Sequence, residues 1–218
     1  VEASDVPLGP ALALIGLEEG DVEGRVDLSA EVSGSFESPS VDLVLRSRQL
    51  AYRDIGTDRA EAVARLEPGS VELEELTLDV LGGRLIAGGS AARASAEAAW
   101  SFSLQGEALD LDLRRISSVA GGDTSVSGRV SLSDVQLRGT LQRPHVESMI
   151  SWTDVSVGPV FAGSGAGGAL FDGGILTVSL ASMDRSWSFT AQAENPTGHW
   201  SLDAGLVLEG VGLDTVYR

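Results

Sequence analysis

The sequence predicts an all-β fold, a mainly antiparallel sheet assembled from repeated amphipathic strands that share one aliphatic face. Three observations predict it: alternation of aliphatic and polar residues over several segments, an internal repeat of about a hundred residues, and Gly- or Pro-containing turns between the alternating segments. Of the 218 residues, 43% are hydrophobic, enough to bury a sizeable core. Val, Leu, Ile and Ala supply nearly all of that content, against five Phe, four Trp and two Tyr, so the apolar surface is mostly aliphatic.

The repeat is carried by short blocks. GRVDLS from Gly24 to Ser29 recurs as GRVSLS from Gly128 to Ser133. Each is followed by a block of the form G-[ST]-[FL]-x-x-P-x-V, Gly34 to Val41 in the first copy and Gly139 to Val146 in the second. Pro39 and Pro144 lie 105 residues apart, and the turns Pro68-Gly69 and Gly173-Gly174 keep that offset. WSFSLQGEALDLDL from Trp100 resembles WSLDAGLVLEGVGLD from Trp200. This divides the chain into the end of a preceding repeat (1–23), copy one (24–127) and copy two (128–218), truncated at its end. The expectation is a slice of a longer repeat protein.

Period-2 alternation places Val26, Leu28, Ala30 and Val32 on one face of a strand, with Asp27, Ser29, Glu31 and Ser33 on the other. The same pattern selects Val41, Leu43 and Leu45; Leu76, Leu78 and Val80; Leu109, Leu111 and Leu113; and Leu176, Val178 and Leu180. In copy two the phase slips between Leu132 and Val135. A β-bulge near Ser133-Asp134 would return Val130, Leu132, Val135 and Leu137 to one face. Gly82-Gly83, flanked by apolar residues, predicts a two-residue hairpin loop. Copy two has Ser182-Met183-Asp184-Arg185-Ser186 there. Thr57–Leu66 and Ala91–Ala99 carry strong helix formers and admit helix or strand equally. About eight strands per repeat at roughly 4.8 Å spacing would extend about 75 Å.

Charge and chemistry exclude several function classes. The net charge is −17 and every one of the 15 basic residues is Arg, so the net field repels nucleic acid and bare anionic headgroups. Without Cys there are no disulfides and no thiolate chemistry. No run approaches the roughly 20 apolar residues of a membrane-spanning helix. Gly163, Gly165 and Gly168 match a dinucleotide fingerprint in spacing, but the following ALFDGGILTVSL reads as turn and strand where a helix must begin. His145 and His199 each stand alone among turn residues. Glu18, Glu19, Asp21 and Glu23, and Asp110 and Asp112, are carboxylate clusters of the kind that bind Ca²⁺ or form an acid/base pair, but the alternation with apolar residues at 109 to 113 favours a solvated outer face. Trp100, Trp187 and Trp200 each open a strand-like run and read as packing at a repeat junction. No catalytic residue, cofactor or metal site is expected, and the chain is read as not an enzyme.

A one-sided apolar sheet must cover that face, because exposed apolar area costs roughly 25 cal/mol per Å². Two covers remain open from the residues: a second sheet, as in a closed sandwich or barrel, or a ligand in an open groove. The G-R-V-x-L-S, G-[ST]-[FL]-x-x-P and x-G-G-R-L segments, at this spacing, resemble the repeats of the TamB and AsmA-like family of periplasmic bridge proteins. That resemblance implies an elongated, twisted sheet curved into an open-sided hydrophobic groove, a β-taco-like repeat with short helices allowed. It implies further that the groove carries phospholipid acyl chains between inner and outer membranes of a Gram-negative envelope. Membrane contact would come only through segments outside this sequence, and an outer-membrane barrel is an expected partner. Two other readings stand beside it: a scaffold for outer-membrane protein assembly or secretion, and a secreted adhesin or stalk with a closed core.

Overall fold

The computed structural model describes residues 1–7, 22–52, 55–95, 97–119, 121, 125–194 and 201–209. In chain order the strands are β1 (Glu2–Pro7), β2 (Val22–Ser35), β3 (Ser38–Tyr52), β4 (Ile55–Glu67), β5 (Ser70–Val80), β6 (Gly83–Ala92) and β7 (Ser101–Asp112). After a short helix, α1 (Leu113–Val119), come β8 (Val126–Thr140), β9 (Arg143–Val157), β10 (Val160–Asp172), β11 (Ile175–Ser182), β12 (Trp187–Glu194) and β13 (Ser201–Leu208).

All 13 strands join one sheet in sequence order, each antiparallel to the next, and the sheet does not close on itself. The all-β antiparallel sheet is what the alternation predicts, and its open, curved form is the one that the resemblance of the repeat blocks implies. Each strand contacts its sequence neighbours, and α1 rests on β7 and β8. The chain exposes 14606 Å², where a compact monomer of this size exposes about 9,500 Å². Among the described residues only Val26, Ala60, Val80, Ala108 and Trp152 are buried apolar side chains.

The repeat is visible in the ladder. In the β1–β2 pair Ala3 faces Leu28 and Val6 faces Val26; in the β7–β8 pair Ala108 faces Leu132 and Leu111 faces Val130. Both pairs carry a bulge between those positions. At its centre stands an Asp in the left-handed region, Asp5 (φ 60°) or Asp110 (φ 55°), a conformation that Asp tolerates better than most residues. The backbone N–H of Asp5 donates to Asp27 Oδ1 at 3.1 Å, and that of Asp110 to Ser131 Oγ at 2.9 Å. One repeat therefore comprises six strands, β7 standing where β1 stood. The expected eight strands give way to six because β2–β4 and β8–β10 run 13 to 15 residues each. The 13 strands span about 58 Å at roughly 4.8 Å spacing.

Three local expectations change. Thr57–Leu66 lies within β4, where its Ala residues pair between β3 and β5, so the ladder overrides helix propensity. Ala91 and Ala92 end β6, and the described residues between them and Ser101 form no helix. The hairpin loop is Leu81-Gly82, both at positive φ (53° and 77°), while Gly83 pairs with Val80. The loop sits one residue early because Gly83 lies against β7: a Cβ there would stand 2.2 Å from the Leu109 carbonyl oxygen. The bulge at Ser133-Asp134 is present, with Asp134 at φ 52°. The helix begins where Asp112 Oδ1 accepts the backbone N–H groups of Arg114 (2.8 Å) and Arg115 (3.4 Å), a helix cap.

Because backbone rather than a movable side chain blocks the Gly83 position, Gly83→Val is expected to destabilise the β5–β7 region by about 2 kcal/mol or more. Urea unfolding with hydrogen exchange on β5–β7 measures this; an unchanged midpoint would place β7 further from Gly83 than the structure does.

Candidate functional site

Cross-strand partners share a face, so the register assigns every side chain to one side of the sheet. In the first half a row runs Leu28, Leu45, Ala62, Leu76, Ala87 and Gly106 from β2 to β7. In the second half Leu132, Ile150, Gly167, Leu180, Phe189 and Leu206 run from β8 to β13. Parallel rows carry Val41, Leu43, Leu78, Val130, Leu137, Leu176 and Val178 on the same side. No Asp, Glu or Arg occupies a paired position on this face. Its polar side chains there are small hydroxyls such as Ser47, Ser148 and Ser182.

Most predicted face residues are half-buried on this side, and Val26 and Val80 are buried. Val32 shares the face at the hairpin end of β2 and is 64% exposed. Two positions depart from expectation. Leu109 pairs with Arg84 and points to the opposite face, because the Asp110 bulge reverses the phase and leaves Ala108 between Leu85 and Leu132. Leu113 opens α1 and belongs to no strand. Ala108 is 4% exposed, and sequence reading passed over it because a small residue weighs little in an alternation. Where Ser133-Asp134 visibly breaks the alternation, the bulge returns Val135 and Leu137 to the aliphatic face, paired with Gly106 and Leu104.

The opposite face holds the charge. Register partners form ion pairs: Arg46 with Glu61 (2.8 Å), Arg65 with Asp42 (2.7 Å) and Arg84 with Asp79 (2.8 Å). Hydrogen bonds from Arg46 and then Arg59 hold the Glu61 carboxyl below its ordinary range. Asp42 and Asp79 raise the guanidinium groups they touch. These pairs are exposed and add little stability each. Concavities of about 990 Å³ (around Arg25, Arg46, Arg59 and Glu61) and about 450 Å³ (around Glu74, Glu75, Glu107 and Gln136) mix charged and polar side chains with apolar ones, Val26 and Ala60 in the first and Ile86, Ala87 and Val135 in the second. Neither draws on the aliphatic rows alone, which lie open along the sheet.

The other residues singled out in the sequence take structural positions. His145 Nδ1 lies 3.4 Å from Asp172 Oδ1. Gly163, Gly165 and Gly168 sit inside β10, and the next element is β11, a strand. Glu23 is exposed; Glu18, Glu19, Asp21, His199 and Trp200 lie outside the described residues. The Trp100 ring lies under the Arg93 guanidinium, 5.1 Å from the ring centroid. The [FL] of the repeat block, Phe36 or Leu141, sits fully exposed at a hairpin tip. Among the described residues no three His, Asp or Glu side chains converge to hold a metal ion, and no helix is long and apolar enough to cross a membrane.

One aromatic contact interrupts the aliphatic rows. Trp152 from β9 and Trp187 from β12 stack with ring centroids 5.5 Å apart and planes at 23°. The tight turn after β11 sets Trp187. Its N–H donates to Ser182 Oγ at 3.1 Å, the Ser186 N–H donates to Asp184 Oδ1 at 3.0 Å, and Arg185 takes φ 58°. The Ser186 backbone N–H, then the Ser186 and Ser182 hydroxyls, lower the Asp184 carboxyl from 3.8 to about 2.

A carboxyl depressed in the folded state stabilises it fully above its unfolded value, and that contribution is lost as pH falls through about 2. The stability difference between the wild type and Asp184→Asn is therefore expected to shrink as pH drops from about 5 toward 2. Urea unfolding followed by tryptophan fluorescence reads it, and a pH-independent difference would remove the assigned role of the Ser186 N–H.

Comparison with protein-family models, with curated proteins and with solved structures finds no match to this chain.

Proposed function

We propose that the aliphatic face binds lipid acyl chains, and that the chain is a segment of a periplasm-spanning conduit carrying phospholipid between inner and outer membranes. The observation that carries this reading is an aliphatic face, free of charge at every paired position, running across 13 strands with no second layer over it among the described residues. A stalk with a closed core would need that layer. Transferring an acyl chain of about 16 carbons through water costs on the order of 12 kcal/mol, at roughly 0.8 kcal/mol per CH₂. A dry aliphatic surface removes much of that cost, and the absence of charge at its paired positions lets the chain slide. The charged face opposite keeps the sheet soluble. The periplasmic setting and the bridge role come from the resemblance of the repeat blocks to TamB and AsmA-like proteins.

Purified protein is expected to retain phospholipid in organic extracts. Leu28→Asp with Leu132→Asp is expected to cut lipid retention and transfer by about tenfold or more, since each buries a carboxylate against the acyl chain. Leu109→Asp, on the charged face, serves as the matched control and leaves both intact. Lipid-free extracts, or equal effects of the two faces, would count against the conduit.

A second reading is favoured by β13, which is exposed at every residue and has no partner on its outer side among the described residues. Such an edge can pair with a client strand, as an outer-membrane assembly scaffold requires. Photocrosslinkers at Asp203 and Gly205 are expected to capture barrel precursors if this role operates; labelling of lipid alone excludes it.

A further inference from the structure

The block that opens each repeat, G-R-V-x-L-S, does more than place Val and Leu on the aliphatic face. It lies at residues 24–29 on β2 and 128–133 on β8, and its two copies differ only at x, Asp27 or Ser131. Both copies stand against the bulge of the preceding strand: Ser4-Asp5 lie opposite Asp27, and Leu109-Asp110 opposite Ser131. Two side chains of the block hold the left-handed Asp there. That of x accepts its backbone N–H, through Asp27 Oδ1 at 3.1 Å and Ser131 Oγ at 2.9 Å. The Arg reaches back to the same residue: Arg25 Nη1 pairs with the Asp5 carboxylate, and Arg129 Nη1 donates to the Asp110 carbonyl oxygen at 2.9 Å. The one position at which the copies differ thus keeps its chemistry, a short side chain with an oxygen acceptor. Glycine leads the block because the following strand passes close: a Cβ on Gly24 would stand 2.4 Å from the Gln49 carbonyl oxygen, and one on Gly128 2.8 Å from Val155 Cα.

The bulged ladder has a competitor. Between the pairs Gly106–Val135 and Leu111–Val130 lie residues 107–110 of β7 and 131–134 of β8, four on each strand, so a straight ladder with Leu109 opposite Leu132 would join the same ends. Pairing with β6 fixes the phase of β7 through Leu109. Strict alternation beyond it would turn Val130 and Leu132 to the charged face and Arg129 and Ser131 to the aliphatic one. We infer that G-R-V-x-L-S is a phase-setting clasp at the junction between repeats: its Arg and x side chains hold the Asp of the preceding strand left-handed and so select the bulged ladder over the straight one. A left-handed residue other than glycine persists where its surroundings over-determine it, and the block supplies two contacts for that purpose. The aliphatic face crosses the junction only in the bulged phase, whatever that face binds.

The chain contains no Cys, so pairs of introduced cysteines in the full chain read the register directly under mild oxidation. A108C/L132C is expected to close a disulfide about tenfold more readily than L109C/L132C, whose Cβ atoms point to opposite faces in the bulged ladder. Adding R129A/S131V, which removes both contacts, is expected to reverse that preference. Adding S131D, which installs the residue of the first copy, is expected to keep it. Equal closure of the two pairs with Arg129 and Ser131 in place overturns the inference whether or not R129A/S131V folds. A folded R129A/S131V chain with the preference unchanged overturns it as well, and so does an S131D chain that has lost the preference.

Discussion

The structure depends on keeping one aliphatic face in phase across an unbroken antiparallel ladder. Side chains alternate with period 2, so a single inserted residue sends every later side chain of a strand to the wrong side. The chain tolerates such insertions only as bulges, and it places Asp at several of them. Asp5, Asp110, Asp134 and Asp154 all adopt positive φ, and neighbouring side-chain oxygens take up the freed N–H groups of three, including Asp154 with Ser164 Oγ at 3.3 Å. The bulges add local bend and twist while the aliphatic register continues on either side.

From that constraint the distribution of burial follows. With contacts running almost wholly between sequence neighbours, none of the described residues lies deep in a core, and the buried positions Val26, Ala60, Ala108 and Trp152 fall in the rows beside the bulges. Stability is correspondingly a sum of neighbouring strand interfaces, as in other repeat architectures. The ion pairs on the charged face follow the same logic: Arg46 with Glu61, Arg65 with Asp42 and Arg84 with Asp79 are register partners, so each reports correct pairing while contributing modestly to stability.

The proposed lipid role is the functional side of this economy. A globular protein spends its aliphatic surface on its own core; this sheet keeps half-buried Leu, Val and Ala side by side over its length, with charge confined to the other face. The Trp152–Trp187 stack shows how a repeat can vary such a surface without disturbing its frame: Trp stands at β9 and β12 where the first copy has Ser47 and Leu85, and Gly165 and Ser182 between them are smaller than the first copy's Ala60 and Leu78.

The sequence by itself determined the fold class, the repeat, the antiparallel order and most of the aliphatic face, because period-2 alternation and turn residues are local signals that survive in one dimension. It also located the Ser133-Asp134 bulge, where the phase visibly broke. Only the tertiary structure decided the rest. Leu109 faces outward although EALDLDL alternates without a flaw, because pairing with Leu85 and Leu132 selects Ala108 and the Asp110 bulge absorbs the difference. The hairpin loop moved to Leu81-Gly82 because β7 approaches Gly83, a contact between segments far apart in sequence. Trp152 and Trp187 stand 35 residues apart and become neighbours through two intervening strands whose small residues give them room. Alternation states which side chains are apolar; register, bulges and cross-strand volume decide which of them meet.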